Sequence, residues 1–217
     1  MDTCVALVQA YLHLNGYFTV VEYPVIEASG NGHARALTDI DILAVRFPAA
    51  SQDVVRGAAH HHLTSTGGPD SALACPLDRP DMIVGEVKEG AARFNRAMRD
   101  PVVLAVALAR FGCCSADDAS DVAHELVARG HAHTHGGHQV RMVAFGDAPD
   151  TPASARTIGM HHIVSYLQHY LRDHWDVLRH SQIKDPVFAT LALTEKWGLG
   201  AVQHTSKKQR RGRHGSM

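Results

Sequence analysis

Two segments of the sequence place charged side chains among apolar ones. Asp39 and Asp41 lie in the run 37–47, and Glu86 and Lys88 end the run 81–88. The other residues of both runs are mainly Ile, Val, Leu, Ala and Met, which is typical of strands buried on both faces. Side chains two apart on a strand share a face. We therefore expect Asp39 to point with Asp41, and Glu86 to point with Lys88.

Such a grouping has a specific chemistry. A buried carboxylate is costly, and two neighbouring carboxylates repel each other unless a cation or a proton lies between them. Mg²⁺ takes oxygen ligands and keeps several waters, so Asp41, Glu86 and a nearby main-chain carbonyl suit it. Lys88 beside the ion would orient or deprotonate the attacking water and offset the charge of a phosphorane-like transition state. The pattern indicates phosphodiester hydrolysis.

The helices and strands that must position these residues can be predicted from the spacing of apolar residues and from the residues that begin or end helices. Apolar residues at helical spacing predict a first helix that Asn15-Gly16 ends, and Ser115 and Gly130 are placed to begin and end a later one. The predicted strands are 17–27, 37–47, 81–88 and 139–145, and the predicted helices are 3–13, 91–111 with a bend at Asp100-Pro101, 116–129, 157–180 and 186–197. This α-β-β-β-α-β order with trailing helices predicts an α/β fold, a mixed central sheet with helices on both faces.

The 217 residues favour one domain over 1–200, with a core of 1–146 and a long loop over 48–80. The residues 201–217 are expected to form a flexible basic tail, since five of its residues are Lys or Arg. Without those five the chain has 16 basic and 22 acidic residues. The tail is either a solvated end or a source of sequence-independent attraction to phosphates.

A known family shares this pattern. The segment Thr-Asp-Ile-Asp-Ile-Leu-Ala at 38–44, followed by Gly-Glu-Val-Lys at 85–88, is similar to the D…E-x-K signature of the PD-(D/E)xK phosphodiesterases. These include restriction endonucleases, Holliday-junction resolvases and Mrr-like enzymes, and their common core has the same α-β-β-β-α-β order. The resemblance covers residues 1–146. It implies a restriction-endonuclease-like fold and a Mg²⁺- or Mn²⁺-dependent nuclease.

The resemblance also implies roles for individual residues. Asp41 would be the metal-binding aspartate, Glu86 the second ligand and Lys88 the catalytic lysine. The Val87 carbonyl would be an extra ligand, and Asp39 an alternative one.

Many members carry a glutamate on the first helix, and this helix has none. Gln9 on that helix is one substitute, and Glu22 and Glu27 on the first strand are others. Some relatives also carry a Gln and a Tyr on a helix near the site, which makes Gln168 a candidate helper. For Gln168, ordinary placement on a helix surface is the alternative.

Arg93, Arg96 and Arg99 follow Lys88 at three-residue spacing. On the predicted helix this spacing gathers them on one face, where they would contact substrate phosphates. A solvated, salt-bridged face is the alternative.

Other residues suggest chemistry less strongly. The histidine-rich stretches 60–62 and 131–138 are predicted loops, whereas zinc ligands need rigid elements. The four cysteines lack C-x-x-C spacing and are expected to be buried free thiols. Trp175 and Trp197 are expected to pack in the core between the terminal helices, with a homodimer contact as the alternative.

The functional expectation is a nuclease, with DNA preferred to RNA as substrate and endonuclease and exonuclease not distinguished. The alternative is a non-enzymatic module that binds nucleic acid or a protein with the same fold. A third possibility is a subunit of a defence or mobile-element system that is active only in complex. No run approaches the roughly 20 apolar residues of a membrane span and no signal peptide is visible, so we expect a cytoplasmic protein without membrane contact.

Overall fold

The computed structural model describes residues 2–28, 33–50, 54–56, 63–65, 68–147, 155–180 and 183–198. Its helices are α1 (Thr3–Leu14), α2 (Pro101–Phe111), α3 (Ala116–Arg129), α4 (Met160–Asp173), α5 (Trp175–Leu178) and α6 (Pro186–Lys196). Its strands are β1 (Phe18–Ala28), β2 (Ala34–Arg46), β3 (Val54–Arg56), β4 (Leu63–Ser65), β5 (Asp81–Ala91), β6 (His131–His133), β7 (Gln139–Asp147) and β8 (Arg156–Ile158).

Six of these strands form one mixed sheet in the order β1-β2-β5-β7-β6, with β8 also paired to β7. The first three are antiparallel neighbours, and β7 runs parallel to β5. Helices α2 and α3 lie in the chain between β5 and β7, the crossover that a parallel pair requires. The predicted α/β class and mixed sheet are confirmed.

Helices cover both faces of the sheet, and each face has its own apolar core. On one face, α1 and α4 pack over the side chains of Ile42, Ile83 and Phe145. On the other, α2 and α3 pack over Leu43 and Val84. The second half of β2 and most of β5 and β7 lie between the two cores and are buried on both sides, as their apolar sequences predict.

A buried ion pair holds the edge of the sheet where β5 begins. Nε and a terminal nitrogen of Arg141 on β7 donate to the two carboxylate oxygens of Asp81 over 2.8 and 2.5 Å, and the Tyr17 hydroxyl donates to Asp81 over 2.5 Å. Burial and the charge of Asp81 raise the pKa of Tyr17, so the hydroxyl remains a donor. This pair joins the start of β5 to β7 and to the loop before β1.

Several local predictions are confirmed. Asn15 ends α1 and Gly16 follows with a φ of 81°, Ser115 caps α3 through the amide of Asp118, and Gly130 ends α3 with a φ of 75°. All four cysteines are free, although only Cys113 is fully buried. None of the helices in the described ranges is long and apolar enough to cross a bilayer.

The predicted helix 91–111 is wrong in its first half. β5 continues to Ala91, the amide of Ala92 donates to the Asp147 carbonyl over 2.8 Å, and only a single 3₁₀ turn forms at Ala97–Arg99. The helix begins at Pro101, because Asp100 caps it and proline favours the first helical position. Arg93, Arg96 and Arg99 therefore do not share a helix face.

Two other stretches also differ from the prediction. The segment 131–138 is not a plain loop, since β6 pairs with β7 through a tight turn. The predicted helix 157–180 is shorter than expected and is split. β8 occupies its start and pairs in parallel with β7, and α4 runs only from Met160 to Asp173. These strands have three residues each, which is too short for a visible alternation.

The remaining predictions concern the long loop, the histidines and the tryptophans. Within 48–80 the described residues include the β3–β4 hairpin and a 3₁₀ turn at Ser71–Leu73. The histidines 60–62 and the tail 201–217 lie outside the described residues. Trp197 is 66% exposed, so its predicted core position is wrong.

Candidate active site

The candidate site lies where two paired strands separate. The ladder between β2 and β5 runs from Arg46 and Asp81 to Ile42 and Gly85, and it stops there. The next residues along, Asp41 and Glu86, face each other across the opening. Beyond this point the amide of Val87 donates over 2.8 Å to Oδ2 of Asp41, a side chain, and not to the backbone of β2.

Asp41 turns its carboxylate into this gap. Its Oδ2 accepts from Val87, whereas Oδ1 takes no hydrogen bond within the described part of the chain. The side chain is 24% exposed, so it remains partly accessible to solvent. The N–H and C=O of one strand residue point to the same side, so the Val87 carbonyl is directed at the same gap.

Glu86 is fully buried and held from two directions. The side-chain amide of Asn95 donates to both carboxylate oxygens over 3.0 Å, and the Lys88 ammonium forms an ion pair with Oε1. Lys88 Nζ also lies 3.9 Å from Asp41 Oδ2. The three residues predicted from the sequence, Asp41, Glu86 and Lys88, are thus brought together.

The two carboxylates are electrostatically strained. Burial raises the pKa of Glu86; the bond from Lys88 opposes this rise, and the negative charge of Asp41 adds to it. Burial also raises the pKa of Asp41, opposed by the Val87 amide and by Lys88. One ammonium therefore does not fully compensate the two carboxylates.

Two further acids surround Asp41. Glu22 occupies the β1 position opposite Asp41 with a φ of 51°, and Asp2 caps α1 and donates its backbone amide to Glu22 Oε1 over 3.1 Å. The charges of Asp2 and Glu22 both raise the pKa of Asp41. Sequence reasoning proposed Glu22 but missed Asp2, whose only signal is its position just before the first helix.

A basic cleft adjoins the acids. It has a volume of about 440 Å³ and is lined by Lys88, Arg93, Phe94, Asn95, Arg96 and Arg99. The three arginines meet because the chain after β5 winds irregularly around Asn95, whose Oδ1 accepts from the Met98 amide over 2.9 Å. The predicted grouping of the arginines near Lys88 is found, although the predicted helix is not. Sequence reasoning missed Asn95.

Other candidates are not brought into contact with these residues. Asp39 is exposed, and in the described ranges its side chain forms no hydrogen bond or ion pair with Asp41, Glu86 or Lys88. Gln9 lies seven residues along α1 from Asp2, roughly 10 Å at helical rise, and donates to Thr19 over 3.1 Å. Gln168 lies on α4, which packs on the sheet face opposite α2 and α3. The Glu27 side chain lies outside the described part.

The oxygen donors of the site fit a hard divalent ion, although the protein would supply few of its ligands. In the residues that the structure describes, no group of three or more His, Cys, Asp or Glu side chains is arranged to hold a metal. Asp41, Glu86 and the Val87 carbonyl would supply oxygen ligands, and Mg²⁺ commonly retains water at the other positions. A bound cation beside them would oppose the burial that raises the pKa of both acids.

Comparison with known proteins finds no relative of this chain. No family model matches the chain, and neither a curated protein nor a solved structure matches it.

Proposed function

We propose that the protein is a Mg²⁺- or Mn²⁺-dependent nuclease with a restriction-endonuclease-like core. The observation that carries this proposal is the convergence of Asp41, Glu86 and Lys88 where β2 and β5 separate. The strand order and directions of β1, β2, β5 and β7 support it, because they follow the α-β-β-β-α-β arrangement that the sequence resemblance implies.

Each residue of the proposed site has its own role. Asp41, Glu86 and the Val87 carbonyl would hold the ion, which when bound polarises a phosphoryl oxygen and lowers the pKa of its water. Asn95 fixes the orientation of Glu86 through two hydrogen bonds. Lys88 supplies a positive charge beside the reacting phosphate and a hydrogen bond to the nucleophile. The arginines of the basic cleft bind neighbouring phosphates.

The test is cleavage of plasmid, linear duplex and single-stranded DNA, and of RNA, with Mn²⁺, with Mg²⁺ and with EDTA. Wild type should cut at least one substrate in a metal-dependent manner. Asp41→Asn and Lys88→Ala should each lose at least a hundredfold in rate while remaining folded, which circular dichroism checks. Asp173→Asn and Lys196→Ala, exposed residues on α4 and α6, are matched controls. Undiminished cutting by either site variant would remove the proposal.

One observation favours a second function. Lys88 already forms an ion pair with Glu86, and part of the acidic charge is therefore compensated without any ion. A non-catalytic module that binds nucleic acid through the basic cleft is the corresponding candidate. It predicts binding that EDTA does not change, together with no cleavage of any substrate.

A further inference from the structure

Three neighbouring openings of the structure share lining residues. Phe94 and Arg99 line both the basic cleft and a pocket of about 120 Å³. Gly130 and Met142 line both that pocket and a third opening of about 260 Å³. We call this row of three adjoining openings the groove; it starts beside Lys88 and ends near Arg156.

The middle of this groove is apolar. Phe94, Met98, Leu126, Val127 and Met142 form its wall. Thioether and aromatic side chains such as those of this wall make favourable contacts with aromatic rings.

Both ends of the groove are basic. The basic cleft supplies Lys88 and three arginines, with Arg99 at the entrance to the apolar pocket. The third opening is lined by Arg156, whose exposed guanidinium is fixed by a 2.5 Å hydrogen bond to the Ala72 carbonyl. A nucleic-acid strand has the complementary pattern, with a phosphate on each side of every aromatic base.

From this complementarity we propose that the apolar pocket binds an unpaired nucleobase next to the cleaved phosphate, so that the substrate is a single strand or an unpaired segment. Bases inside a duplex are stacked and paired and cannot enter such a pocket, whereas splayed bases can stack on protein side chains. This inference rests on the proposed nuclease function, because it places the strand backbone in the basic cleft.

The test measures binding as well as cleavage. Asp41→Asn, in Ca²⁺ buffer, is titrated with dye-labelled oligonucleotides: a single DNA strand, the RNA strand of the same sequence and the blunt DNA duplex. We expect one or both single strands to bind at least tenfold more tightly than the duplex, and the two single-stranded arms show which sugar is preferred. A 2-aminopurine placed at successive positions should change its fluorescence sharply at one of them.

Two matched variants test the pocket itself. Val127→Phe, in the same background, narrows the pocket from α3, and Val102→Phe adds the same group to an exposed valine of α2 outside it. Val127→Phe should weaken single-strand binding about five- to a hundredfold, the range for loss of a stacked base, and leave duplex binding unchanged. Val102→Phe should match the parent. Ala155→Phe is a second filling variant, because Ala155 also lines the pocket.

The outcomes separate the two ideas. Equal affinity for single strand and duplex, or unchanged single-strand binding in both filling variants, overturns the pocket proposal even when wild type cleaves DNA. Selective, pocket-dependent binding supports it, also if wild type cleaves nothing, and in that case only the nuclease proposal fails.

Discussion

The amide of Val87 donates to the carboxylate of Asp41 over 2.8 Å, and so a side chain occupies the place of a backbone acceptor in the sheet. This hydrogen bond marks the end of the ladder between β2 and β5. It also leaves the second oxygen of Asp41 and the carbonyl side of Val87 in an opening next to Glu86. The geometry of the site thus follows from where strand pairing stops.

Asn95 should control metal affinity through Glu86. In Asn95→Ala, Glu86 loses both 3.0 Å hydrogen bonds and its fixed orientation. Loss of such a supporting partner typically weakens metal binding about 10- to 100-fold, and calorimetric titration with Mn²⁺ measures this. Asn95→Ser serves as the comparison, since serine can still cap the 3₁₀ turn but is too short to hold Glu86. Equal Mn²⁺ affinity in all three proteins would contradict the assigned role.

The stability of the metal-free protein should depend on the charge of Asp41. Its pKa is raised in the folded state, so its contribution is most favourable at low pH and declines as pH rises through the folded pKa. Asp41→Asn removes this dependence and should melt at a higher temperature than wild type at pH 7. A gain of about 1 kcal/mol corresponds to roughly 2–4 °C in a domain of this size.

Thermal melts with EDTA between pH 4 and pH 8 measure the effect. The difference between Asp41→Asn and wild type should grow with pH and shrink at the acid end. Saturating Mn²⁺ should raise the melting temperature of wild type at pH 7 and have little effect on the variant. A difference that is constant across the pH range speaks against a strained carboxylate.

The basic cleft should act on binding more than on chemistry. Arg93→Ala, Arg96→Ala and Arg99→Ala each remove one cation from its wall and should raise KM several-fold with a smaller change in kcat. Each lost phosphate contact should also reduce the slope of log affinity against log salt by about 0.7–0.9. Arg179→Ala is the control, because Arg179 is a half-exposed arginine in the turn after α5 that pairs with Asp176. Equal salt slopes for all four variants would exclude phosphate contacts.

The Asp81–Arg141 pair should be a main source of stability. Asp81→Asn leaves the buried Arg141 guanidinium without its bidentate partner, and breaking such a pair costs about 3–5 kcal/mol. Urea unfolding should show this loss. The exposed pair of Asp176 and Arg179 offers the matched change Asp176→Asn, for which we expect almost no effect.

The sequence predicted the central acids and Lys88 because strand alternation determines which side chains meet. It missed Asn95, whose role depends on a segment that leaves the sheet without becoming a helix. It missed Asp2 because the sequence can mark this residue as a helix cap but does not indicate which other residues lie near that end of the helix. The predicted grouping of the arginines is correct, but its reason is wrong: a spacing of three favours a helix, whereas here the chain leaves β5 irregularly and Asn95 bonds to Glu86.

The β5 strand is fastened at its start and unpaired from β2 at its end, which has a consequence for its dynamics. Amides of 82–85 lie between two partner strands and should exchange with deuterium only on global unfolding. The Val87 amide is protected by a single carboxylate, so its exchange rate should report directly on the state of Asp41. If the proposed ion binds, the exchange of that one amide proton should change with its occupancy, and NMR can measure this without any substrate.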